Sequence, residues 1–96
     1  MADERWSDAE QQYTEALAIN PRSPDCLIAR AAVRMNQAKW DEALEDLDRA
    51  LEIRPDPTAY AYRAVVLRAL GRDAEARADE ARAEAMGKGG RGEGEW

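Results

Sequence analysis

Two arginine–aspartate pairs carry the most regular charge spacing in the chain. Arg30 and Asp46 lie 16 residues apart, and Arg63 and Asp79 repeat that interval. Such pairs can grip a charged ligand, one per unit, or they can tie neighbouring helices together. Identical spacing in two units favours the tie. A tie of this kind fixes helix register more than it adds stability, because two charges must lose water to meet. At the equivalent position of an earlier, incomplete unit stands Gln12, with no partner helix.

Other residues with chemical potential are sparse. The chain has no histidine, so triads that use it and histidine metal sites are excluded. No glycine-rich phosphate loop precedes a helix, and the turn Gly71-Arg72-Asp73 is explained by chain reversal. Asp41, Glu45 and Asp48 read as a solvated helix face, since no glycine-bent loop gathers them as calcium requires. Cys26 is a lone thiol, fit for a small semi-buried position. Trp6 and Trp40 could contact a ligand, but their matched positions point to packing. The expectation is a non-enzymatic chain with no cofactor, no metal and no catalytic residue.

The elements that position these residues are helices. The stretch KWDEALEDLDRALEIRP, Lys39 to Pro55, has Trp40, Ala43, Leu44, Leu47, Ala50, Leu51 and Ile53 at spacings of three and four. Acids crowd its first turn and Pro55 stops it. Residues Arg5 to Pro21 repeat the stretch. Adding 34 to Trp6, Ala9, Ala16, Leu17, Ile19 and Pro21 gives Trp40, Ala43, Ala50, Leu51, Ile53 and Pro55, with Tyr13 falling on Leu47. A period of 34 closed by proline marks a stacked helical repeat.

Composition agrees. Hydrophobic residues make up 45% of 96 and charged residues 35%, with abundant alanine and no phenylalanine, so strands are not expected. The net charge of -6 argues against a nucleic-acid or anionic-membrane partner, because both need a basic surface. No apolar run is long enough for a transmembrane helix, and the polar start MADERWSDAE is unlike a signal peptide. A cytoplasmic location is the expectation.

In chain order, the pattern predicts helices over 6–20, 24–37, 39–55, 59–70 and 73–86, after a lead-in over 1–5. Residues 87–96 are expected to form a flexible glycine-rich tail. Trp96 at its end reads as without a role or as a peptide-like anchor.

These residues resemble the tetratricopeptide repeat. From Pro24, Leu27, Arg30, Ala31 and Arg34 fall on the positions W-x2-L-G-x2-Y, and Ala43, Leu47, Ala50 and Pro55 fill the later A, F, A and P positions. From Pro57, Tyr60, Arg63, Ala64 and Leu67 fill the first half, and Ala76 and Ala83 the second, with Glu80 at an aromatic position. The resemblance implies an all-α superhelix of about five antiparallel helices over residues 1–86. Its parts are a half repeat (6–21), a full repeat (24–55) and a degenerate capping repeat (57–86).

It also implies a protein-interaction module that binds a protein or peptide. Asp25, Ile28, Ala32 and Met35 of the second helix and Thr58, Ala61, Val65 and Arg68 of the fourth are then the concave groove. Members that clamp a peptide's terminal carboxylate use lysine, asparagine and arginine there, and the apolar middle of this groove departs from that. The rival expectation is self-assembly, a homodimer through Ala9, Tyr13 and Ala16 of the half repeat.

Overall fold

The structure is a computed structural model that describes the backbone of residues 2–94 and the side chains of residues 5–87. Its helices are α1 (Ala2–Ile19), α2 (Pro24–Asn36), α3 (Trp40–Ile53), α4 (Pro57–Ala69) and α5 (Asp73–Gly94). No strand occurs among the described residues.

Local chemistry sets the boundaries. Pro24 and Pro57 each occupy the first turn of a helix, where the missing N–H costs nothing. Ser23 Oγ accepts from Cys26 N at 3.3 Å, and Asp56 Oδ1 accepts from Thr58 N and Ala59 N at 2.8 and 3.1 Å. These are N-caps for orphan donors. The α2–α3 and α4–α5 turns are alike. Lys39 N donates to Arg34 O and Arg72 N to Leu67 O, both at 2.8 Å. This reversal needs one left-handed residue. Gly71 supplies it in the second turn, with φ 80°, and Ala38 in the first, with φ 60°.

Two boundaries differ from the sequence expectation. Helix α1 starts at Ala2, ahead of Trp6, because residues 2–5 contain no helix breaker. The reading of residues 87–96 as a non-helical tail is corrected by α5, which continues to Gly94. Glycine weakens a helix by about 1 kcal/mol relative to alanine, but only proline forbids it, and no proline follows Pro57. Gly87 does not adopt the left-handed cap that Gly71 adopts. Glu95 and Trp96, with whatever role Trp96 has, lie outside the described residues.

Each helix packs chiefly on its chain neighbours, with a light contact between α2 and α4. The core joins Leu17, Leu27, Ile28, Ala31, Ala43, Leu47, Ala50, Ala59 and Val66, and Ala64, Leu67 and Ala76 form a smaller cluster against Leu44. Ala31, Ala43, Ala50, Ala59 and Ala76 are wholly buried. Small side chains there let helix axes approach closely, where a larger one would force them apart. Ala83 is only half-buried.

The face of α3 that receives α4 carries Leu44, Leu47 and Leu51. Adding 33 gives Arg77, Glu80 and Glu84 on α5. That helix therefore presents a charged row where α3 presents an apolar one.

Candidate functional site

Two charged hubs hold the helices in register. In the first, Asp46 is wholly buried. Arg30 Nε and Nη2 donate to its two oxygens at 2.9 and 2.7 Å, and Arg34 Nη1 adds a third bond at 2.9 Å. Arg30 Nη1 also reaches Thr14 Oγ1 at 3.1 Å, so α1, α2 and α3 are joined through one guanidinium. In the second hub Arg63 Nε and Nη2 donate to Asp79 at 2.7 and 2.9 Å, and Arg82 Nη1 to Asp79 at 2.8 Å. Arg63 Nη1 reaches Asp48 Oδ1 at 2.9 Å. Both arginine–aspartate pairs are thus helix ties with their donors committed.

The pairing shifts the titration of its members. Burial pushes Asp79 up, but the bonds from Arg63 and Arg82, with their charges, hold it below its ordinary value. The hydrogen bond to Asp79 raises Arg63, and the one to Asp46 raises Arg30.

The junctions between units are built differently. At the first, Glu10 accepts from Arg34 Nε at 2.9 Å and from Lys39 Nζ at 3.1 Å. Burial works to raise Glu10, and the bonds from Arg34 and Lys39 outweigh it and lower the pKa. At the second, the equivalents of Glu10 and Arg34 are Leu44 and Leu67, which pack in the smaller cluster. Arg72, the equivalent of Lys39, turns to Glu75 at 2.6 and 2.8 Å. Sequence reasoning missed the roles of Glu10, Thr14 and Lys39. The signal was the joint change of two residues, leucine in one unit and a charge pair in the other.

A hollow of about 410 Å³ between α3, α4 and α5 is lined by Asp48, Arg63, Arg72, Glu75, Asp79 and Arg82 among others. Those charges already satisfy one another, so an entering ligand would have to break existing pairs. A second hollow, about 290 Å³, lies where α2 meets α4. Ala32, Met35 and Asn36 come from α2, Trp40 from the start of α3, and Tyr62 and Val65 from α4. No charged residue lines it. Its size, at the lower limit of ligand pockets, suits one or two side chains. Asn36 Nδ2 is bonded to Ala32 O at 2.9 Å.

Of the expected groove residues, the structure gathers Ala32, Met35 and Val65 around this hollow, with Val65 half exposed. Thr58 and Ala61 are exposed on α4 outside it. Ile28 is 8% exposed and belongs to the core, so it is not available as a groove residue. Its equivalent, Ala61, is open because no further helix among the described residues lies against the inner face of α4 as α4 lies against that of α2. Arg68 pairs with Glu80 of α5, so its head group is directed away from the hollow. Asp25 meets Arg54 Nη2 at 3.1 Å at the exposed rim. Trp40 and Tyr62 were absent from the expected set. Trp40 read as packing from its matched position, and both are partly buried against the core while still lining the hollow.

No helix among the described residues is long and apolar enough to cross a membrane, and no cluster of three or more of their His, Cys, Asp or Glu side chains is arranged to hold a metal ion.

The sequence profile of the tetratricopeptide repeat matches residues 1–66, which cover α1 to α3 and most of α4. Human tetratricopeptide repeat protein 28 is 39% identical over 65 residues, 67% of this chain and 3% of that protein. Mouse sperm-associated antigen 1 is 36% identical over 53 residues, 55% of this chain and 6% of that protein. The Hsp70-Hsp90 organizing protein of Triticum aestivum is 40% identical over 47 residues, 49% of this chain and 8% of that protein. The chain thus spans under a tenth of the length of each of these relatives. With its period, its proline-closed helix pairs and its buried alanines, the chain belongs to the tetratricopeptide repeat family.

Proposed function

We propose that this non-catalytic repeat chain binds a short segment of a partner protein by seating an apolar side chain in the hollow between α2 and α4. The observation that carries the reading is the lining. Met35, Trp40, Tyr62 and Val65 form a wall without charge in a protein whose surface is otherwise densely ionic. An apolar side chain gains there by leaving water, roughly 1.5–3 kcal/mol for a leucine-sized group. A terminal carboxylate would find no cation in the lining. Met35 can adjust its rotamers to different guests. The contact is small, so the affinity is on the order of micromolar. A relative named for organizing Hsp70 and Hsp90 is consistent with protein binding as the general role.

Selection from a random peptide library tests this reading. Selected peptides should share a large apolar residue, and Val65→Asp should abolish their binding while the helical circular dichroism is unchanged. Val65 serves because it is half exposed, whereas an aspartate at Ile28 would unfold the core. Peptides bound only through a free C-terminal carboxylate, or bound equally by the Val65→Asp variant, would refute it.

A second reading is favoured by one observation on α1. Ile19 is 87% exposed, although its equivalent, Ile53, packs against the core. Ala9 and Ala16 are half-buried where Ala43 and Ala50 are fully buried. We infer that this partly covered face of α1 supports self-association, which sedimentation over a concentration series tests.

A further inference from the structure

We propose, resting on the self-association reading, that two copies dock their α1 helices antiparallel about a two-fold axis passing between Gln12 and Tyr13. The spacing of the open face is palindromic about that point. Ala9 and Ala16 are equally far from it, and so are Trp6 and Ile19. In an antiparallel pair, Ala9 of one copy opposes Ala16 of the other, twice. Two alanines facing one another allow a close helix approach, about 8 Å between axes. Trp6 and Ile19 flank this centre at each end. At each end Trp6 of one copy stands level with Ile19 of the other, so small residues meet at the centre and large ones at the ends, and an order without this symmetry would not match itself.

The residue at the centre supplies a second, independent argument. Gln12 occupies the position held by Asp46 and, one unit on, by Asp79. Each of those aspartates is buried against an arginine from the preceding helix. A preceding helix of the same pattern would bring an arginine to Gln12 as well, and a neutral amide gives it nothing to neutralise. Across a two-fold axis the requirement is different. The group must be complementary to itself, and two carboxylates would repel. An amide carries both donor and acceptor, so Gln12 can bond Gln12 of the second copy.

From Trp6 to Ile19 the face is about 20 Å long at 1.5 Å per residue. One helix pair of this length buries less than the ~1,200 Å² of a stable complex, so dissociation belongs in the micromolar range or weaker. Both copies carry a net charge of -6, and added salt should therefore tighten the pair by screening that repulsion.

Disulfide trapping reads the geometry. In a Cys26→Ser background, Ala9→Cys and Ala16→Cys variants are mixed in equal amounts and oxidised gently. The expected product is the mixed 9–16 disulfide, identified by mass spectrometry. Gln12→Glu should weaken the sedimentation dimer about tenfold at pH 7, the effect of roughly 1.4 kcal/mol of like-charge repulsion. A chain that dimerises but yields only 9–9 and 16–16 products overturns the antiparallel axis and leaves self-association standing. A dimer indifferent to Gln12→Glu displaces the axis from its proposed position. A chain that stays monomeric up to about 1 mM overturns both this geometry and the self-association reading beneath it.

Discussion

Asp46 is fully buried and accepts three hydrogen bonds from two arginines, and its value to the fold lies in what its loss would leave behind. Replacing a buried ion pair by apolar groups is often neutral, but removing one partner strands the other. Asp46→Ala leaves Arg30 and Arg34 without their shared acceptor, so urea denaturation should show a loss of about 3–5 kcal/mol. Asp79 and Glu10 give the same chemistry a pH signature. Both are lowered in the fold. Their stabilisation is therefore complete above the ordinary carboxylate range and is lost as the pH falls through their lowered values. Urea midpoints measured from pH 7 downward should decline in that acid window, and Asp79→Asn should flatten the decline while lowering the midpoint at pH 7.

Turns and junctions, one level up, show which elements the residue pattern dictates. Ala38 holds a left-handed φ of 60° that its counterpart Gly71 adopts without strain. That conformation costs a side-chain-bearing residue roughly 1–2 kcal/mol, and glycine's greater freedom when unfolded returns part of it. Ala38→Gly should accordingly raise the thermal midpoint, by about 1 kcal/mol in stability. The first junction can likewise be rewritten in the terms of the second. Glu10→Leu alone should destabilise, as should Arg34→Leu alone, since each leaves a charge facing hydrocarbon. The double variant recreates the Leu44–Leu67 contact and should cost clearly less than the two single changes together, a coupling that a denaturation double-mutant cycle measures. Helix starts and stops were legible because Pro21, Pro24, Pro55 and Pro57 act on local geometry alone. The arginine–aspartate ties were legible because they recur at one spacing. Burial of Ile28 was not, since its side chain lies on an inner face until α4 is laid against α2. The extension of α5 was not legible either, because a run of glycines signals weakness without naming a stopping point.

At the scale of the whole molecule, the groove was legible as a position and only partly as a set of residues. Ala32, Met35 and Val65 could be counted onto an inner face, whereas Trp40 and Tyr62 reach the hollow from positions that also serve the core. The charged row of α5 follows from residue type. Arg77, Glu80 and Glu84 stand where α3 carries leucines. Changing all three to leucine should create an apolar row and turn the chain to concentration-dependent association, visible by light scattering, while the helical signal persists.

The unlike junctions give this short array two seams of different material. One is the more ionic, through Glu10, Arg34 and Lys39; the other carries Leu44 and Leu67 in their place, with the ion pair Arg63–Asp48 beside them. Concentrated sodium chloride screens the first more than the second, while cooling weakens the second more than the first. Since helices touch chiefly their chain neighbours, each seam can part without the other. Hydrogen exchange should then find α1 loosened first at high salt and α4–α5 loosened first near freezing, so that the solvent selects the end from which the protein opens.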